Sequence, residues 1–157
     1  MKILVLGLGN PILGDDAVGL HISAEVKKRI SNPEVVVLQS ELGGLNLLDL
    51  FVGYHKAIIL DAIDTRGGKP GQIYRLTEKS FEASHHANST HGTDFRSTIE
   101  LGRKLGLDLP GEFVIFAVQV QDMFSFTEQL TPPVENSVLE CTRLVLQEIE
   151  KSSADLR

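Results

Sequence analysis

Hydrophobic and polar positions along this chain alternate between two periods. Short apolar runs occupy residues 2–7, 34–38, 57–61, 72–76 and 113–118, the third reading Ala-Ile-Ile-Leu-Asp and the last Phe-Val-Ile-Phe-Ala-Val. Several are apolar throughout rather than alternating, which suits strands covered on both faces of a parallel sheet. Between them the period lengthens. Val18, Ile22, Val26 and Ile30 recur every four residues across 16–30, a ridge suited to packing a helix on a sheet. Shorter helices are predicted over 45–53 and 94–106. A last helix is predicted from Pro133 to Lys151, with Val134, Val138, Cys141, Val145 and Ile149 on one stripe and Pro133 in the first turn. Residues 62–71 and 77–93 read as irregular, the second as a polar loop over a site. Strands alternating with helices predict an α/β fold, a three-layer α/β/α sandwich around a mostly parallel twisted sheet of about five strands. A length of 157 residues fits one domain spanning 1–157.

Composition changes this picture little, because 42% apolar and 23% charged residues are ordinary for a globular chain. Charge excludes more. The net charge is −6, and the one basic run, Lys27-Lys28-Arg29, is short and sits in a mixed helix. Nucleic acid and anionic membrane surfaces are therefore poor partners. No apolar stretch approaches the roughly 20 residues that span a bilayer, and the amino terminus lacks a signal-peptide pattern. The single cysteine, Cys141, permits no internal disulfide and fits a reducing compartment. A cytoplasmic monomer is expected.

The first strand runs into Gly7-Leu8-Gly9-Asn10-Pro11-Ile12-Leu13-Gly14-Asp15-Asp16-Ala17-Val18-Gly19, a glycine-rich elbow that ends in two carboxylates. Glycines after a strand suggest a phosphate cradle, but the details oppose one. A dinucleotide fingerprint needs a third glycine where Ile12 stands, Pro11 removes a backbone donor, and no Gly-Lys-Ser/Thr follows. Asp15 and Asp16 would also repel an anion at the helix start. One acid at such a position is ordinarily a cap. Asp15 is expected to take that role, leaving Asp16 to project over the sheet edge.

Asp61 closes the predicted third strand, so it should lie at the carboxyl edge where the first strand releases its elbow, the edge at which open α/β sheets bind ligands. Asp64 is the weaker candidate. Among the histidines, His91 immediately precedes a predicted helix; His85 and His86 sit among small polar residues, and His21 and His55 read as structural. Asp16, Asp61 and His91 would make a mixed oxygen and nitrogen set with open positions for a divalent metal such as nickel, iron or zinc. Such an ion could polarise a carbonyl or activate water. Nucleophilic catalysis lacks support: Cys141 lies on an apolar stripe and no Gly-x-Ser-x-Gly elbow exists. An aspartic dyad of Asp16 and Asp61 is conceivable, but would leave His91 without a role.

The segment Ile3 to Gly19 closely resembles the amino-terminal signature of the hydrogenase maturation endopeptidases. The resemblance continues through Ile58-Ile59-Leu60-Asp61-Ala62, Ser89-Thr90-His91 and Leu130-Thr131-Pro132-Pro133-Val134, and so covers essentially the whole chain. It implies a three-layer α/β/α sandwich and a protease that removes the carboxyl-terminal extension of a nickel-iron hydrogenase large-subunit precursor after nickel insertion. It also implies that Asp16, Asp61 and His91 contact metal. That metal is expected to be the nickel carried by the substrate rather than a resident cofactor. The chain departs from the family where Gln39-Ser40-Glu41-Leu42-Gly43-Gly44 replaces an Asp-Gly-Gly-Thr motif, with Glu41 a partial substitute. Two other classes stay open at this point: a non-catalytic nickel chaperone or docking module for the precursor, and a nucleotide-binding enzyme.

Overall fold

The computed structural model describes residues 1–41, 43–83, 87–88 and 95–155. Strand β1 (Ile3–Leu8) leads through a 3-10 turn (Gly14–Ala17) into helix α1 (Val18–Arg29), and then comes β2 (Val35–Ser40). A second 3-10 turn (Gly44–Leu47) and the short α2 (Leu48–Phe51) precede β3 (Lys56–Thr65) and β4 (Ile73–Thr77). Helix α3 (Glu78–Ala83), the two-residue β5 (Ala87–Asn88), α4 (Phe95–Lys104), β6 (Glu112–Gln119) and α5 (Pro132–Ala154) complete the order.

The main sheet has the order β2-β1-β3-β6-β4, with β4 antiparallel to β6 and the other pairings parallel. A chain that steps to β2 on one side of β1 and to β3 on the other creates a topological switch point between β1 and β3. Crevices at the carboxyl ends of such strands are where open α/β sheets hold ligands.

Alternation along the strands divides the core into two layers. Ile3 and Val5 of β1, with Ile58 and Leu60 of β3, pack against Val18, Ile22 and Val26 of α1 and against Val134, Val138, Cys141, Val145 and Ile149 of α5. Leu4, Leu6, Ala57 and Ile59 face the other way, onto Phe51, Phe95 and Ile99. The three-layer sandwich is thus the one expected. At about 25 cal/mol per Å² of apolar area removed from water, these two layers supply most of the favourable term in folding.

Three expectations need correction. The strand at 57–61 continues to Thr65, because β6 pairs with it as far as Ile63 opposite Gln119 and β5 pairs with Asp64 and Thr65. The stretch 77–93 contains α3 and β5, with β5 antiparallel to the end of β3. The first helix is split at its start: 14–17 wind as a 3-10 turn before the α-helix proper.

Candidate active site

The elbow is built by close approach. Gly19 sits so near the carbonyl oxygens of Leu8 and Leu60 that a Cβ there would collide with both. The start of α1 is therefore seated between the ends of β1 and β3, at the switch point. Gly14 turns the chain into the 3-10 segment with φ +55°, a left-handed conformation that an L side chain rarely adopts, and its N–H donates to Thr127 O at 2.9 Å.

This geometry carries Asp16 over the edge. Its side chain is 2% exposed, and Oδ2 accepts the Asn10 N–H at 2.9 Å. The 3-10 turn that bears it packs against β3. Asp61, 5% exposed, accepts the Ala62 N–H at 2.8 Å. It does not end its strand. It stands where neighbouring β1 ends, since Ile3 pairs with Lys56 and Leu8 thus comes level with Asp61. Two buried carboxylates thus stand near the end of β1, one on the 3-10 turn that packs against β3 and one within β3 itself. His91 lies outside the described residues, as do His85 and His86. Asn88, three residues before His91, pairs opposite Asp64 at the carboxyl end of β3, and Phe95 opens α4 from a buried position. Among the described residues, no three His, Cys, Asp or Glu side chains cluster closely enough to hold a metal.

Asp15 does something other than cap α1; no side-chain cap bond is made at either the 3-10 turn or the helix. Its carboxylate, 0% exposed, reaches across the fold to the segment between β6 and α5. It accepts the backbone N–H groups of Gln121 and Asp122 at 2.9 Å, and that of Thr131 at 2.7 Å. The Thr131 hydroxyl adds a fourth bond at 2.8 Å. Hydrogen bonds to an ionised acceptor are about twice as strong as neutral ones. Asp15 therefore ties the elbow to the 121–131 segment.

The remaining candidates differ in burial and partners. His21 is exposed on α1, and His55 is a surface residue whose Nδ1 accepts the Lys2 N–H. Cys141 is fully buried, and burial, with a smaller contribution from Glu140, pushes its thiol up to about 12, leaving no thiolate for attack. Asp64 belongs to β3 rather than a loop, is exposed, and accepts from the Gln119 amide at 3.2 Å. Glu41 is exposed just after β2. Sequence reasoning passed over Gln119. It is 3% exposed, and its Oε1 accepts both the N–H and the hydroxyl of Thr65, fixing the end of β3 beside β5. A polar residue closing an otherwise apolar strand was the available signal.

Chemically, the crevice offers carboxylate oxygens in a water-poor setting, held in place by backbone N–H donors. Such oxygens suit a divalent cation or a transferred proton.

Comparison with known proteins gives one consistent answer. The model of the hydrogenase maturation protease family HycI matches residues 5–148. The hydrogenase expression/formation protein HupD of Bradyrhizobium diazoefficiens is 30% identical over 149 residues, covering 93% of this chain and 77% of that protein. The hydrogenase 2 maturation protease of Escherichia coli K12 is 27% identical, covering 99% of this chain and 94% of its own. Among solved structures, the hydrogenase maturating endopeptidase HybD from E. coli superposes with a TM-score of 0.85 at 28% identity, over 97% of this chain and 94% of that one. The chain belongs to the hydrogenase maturation protease family.

Proposed function

We propose that this protein is the endopeptidase that removes the carboxyl-terminal extension of a nickel-iron hydrogenase large-subunit precursor once nickel has been inserted, with Asp16, Asp61 and His91 engaging the nickel of the substrate. The observation that supports the proposal is that Asp16 and Asp61, both buried, are carried by a 3-10 turn and a strand that pack together near the end of β1, in a chain that belongs to this family. Two carboxylates and one imidazole leave coordination positions open, as recognition of an ion already held by another protein requires. His91 enters through the family resemblance. Its described flanks are compatible with that role: Asn88 pairs at the carboxyl end of β3, and Phe95 lies in the core layer on the face that Asp61 shares with Ala57, Ile59 and Ile63.

In this scheme the Asn10 N–H orients Asp16 and the Ala62 N–H orients Asp61, so neither carboxylate has to reorganise when substrate arrives. The engaged ion positions the scissile peptide at the crevice, and a carboxylate oxygen accepts the proton of the attacking water. The test is to mix the protein with nickel-loaded and nickel-free precursor and follow loss of the tail by mass spectrometry. Cleavage is expected only of the loaded form, and Asp16→Ala is expected to slow it by about 10²–10⁴-fold. Equal cleavage of both forms, or full activity of Asp16→Ala, overturns the scheme. Tight stoichiometric nickel binding by the isolated protein without tail release would point to a chaperone instead.

A further inference from the structure

The two ends of the phenylalanine distribution differ sharply. Phe51, Phe95 and Phe113 meet edge to face in one core layer, and Phe116 is buried in the other. Phe124 and Phe126 are 79% and 85% exposed, on the segment between β6 and α5. Aromatic side chains left in water at adjoining positions mark a contact surface more often than a folding accident.

That segment is held firmly against the elbow. Thr127 N–H donates to Ile12 O and Thr127 O accepts the Gly14 N–H, each at 2.9 Å, while Asp15 grips Gln121, Asp122 and Thr131. The tip is fixed from within: the Asp122 carboxylate accepts the N–H groups of Phe124 and Ser125 and the Ser125 hydroxyl. Ile12, about half exposed, adds apolar surface from the elbow side of the same pairing. Ile12, Phe124 and Phe126 are thus exposed on two backbone-paired segments, one of which leads into the turn that carries Asp16. Because the pairing is preformed, little ordering entropy opposes their burial. The segment is acidic, with Asp122 and Glu128 bracketing the two aromatics along the chain. Hydrogen bonds from Ser125 and from the Phe124 and Ser125 amides hold the Asp122 carboxyl below the usual range, so it is charged at neutral pH. A second copy of a chain of net charge −6 would bring like charges together there.

We propose that the Ile12, Phe124 and Phe126 surface docks an apolar face of the nickel-bearing precursor that is rimmed by lysine or arginine, and so holds its tail over Asp16 and Asp61. The proposal rests on the processing function above. Steady-state cleavage of nickel-loaded precursor tests it with Phe124→Ser/Phe126→Ser, and with each single change in case the pair lowers the melting temperature. The expected result is a fall of about tenfold or more in kcat/KM carried by KM, with the melting temperature unaltered because both side chains are solvated in the free protein. Unchanged kcat/KM, or a loss confined to kcat, overturns the docking assignment while leaving the peptidase intact. Failure of the wild-type protein to cleave the precursor removes the processing function, and the docking assignment with it. Self-association in sedimentation that the substitutions abolish, with KM unchanged, assigns the surface to a second copy and overturns the proposal.

Discussion

At the amino-terminal edge of the sheet, Lys56 Nζ lies 2.7 Å from Glu148 and 2.8 Å from the Ser152 hydroxyl, and Arg75 forks onto the same Glu148 carboxylate with two bonds of 3.0 Å. Lys56 and Glu148 are both buried. At the carboxyl-terminal edge, the buried Asp15 takes its four bonds from backbone N–H groups and one hydroxyl, and Asp16 is oriented by a backbone N–H. One sheet thus holds buried charge in two ways. At the amino edge side-chain cations pair with the buried carboxylate. At the carboxyl edge, backbone N–H groups and one hydroxyl orient the buried carboxylates. The difference suggests that stability depends more on the first edge and processing on the second.

The largest effect expected from breaking this contrast is at the amino edge. Lys56→Met strands a buried carboxylate next to the half-exposed Arg75, and should cost about 3–5 kcal/mol. In a chain of this length that lowers the melting temperature by about 10 °C. Cleavage of the precursor below the transition should persist. Lys56→Met/Glu148→Leu should recover much of the loss, since a buried pair can often be replaced by apolar side chains at little cost. Loss of cleavage by a folded Lys56→Met protein would erase the division between the edges.

Asp15→Ala comes next. It leaves three backbone N–H groups and the Thr131 hydroxyl without their buried acceptor, at about 3 kcal/mol. Hydrogen exchange should accelerate at Gln121, Asp122 and Thr131 while the Val5 and Ile59 amides in the sheet keep their protection. Uniform acceleration would mean that Asp15 supports the whole fold rather than the tie between elbow and segment.

The smallest effect is on pH dependence. Burial pushes the Glu148 carboxyl up, but the hydrogen bonds and charges of Arg75 and Lys56 outweigh it and hold the group at about 2, below the ordinary 4.5. Between those values the unfolded chain binds the proton more readily than the folded one. Glu148 therefore contributes stability fully above about pH 4.5 and loses it as pH falls through about 2. Thermal melts across that window should slope less steeply in Glu148→Gln than in the wild type, and equal slopes would place the acid sensitivity elsewhere.

Much of the fold could be read along the chain because it rests on local periods. The four-residue ridge of α1, the stripe of α5 and the unbroken apolar runs each name an element and the faces it must cover. Asp16 and Asp61 stood out as candidates, since one follows a strand-to-elbow signature and the other closes an apolar run, and both are buried in the fold. Misreadings occurred where a local rule competed with a distant partner. Asp61 resembled punctuation, but pairing first with β6 and then with β5 carries the strand four residues further. Asp15 resembled a cap, yet its donors lie more than 100 residues away and no nearby spacing announces them. Glu148 sits one position before Ile149 on a buried stripe, where its partners Lys56 and Arg75 come from other strands.

By itself the sequence determined the element order, the sandwich class and the residue types able to meet a metal, because these follow from periodicity and from a motif contained in one elbow. Only the tertiary structure decided that Asp15 ties down a distant segment instead of capping a helix. It also showed that the amino edge holds its own ion network and that two phenylalanines stand in water beside the elbow. Those outcomes depend on register and on the close seating of Gly19 against two strand ends, which bring together groups that the chain keeps far apart.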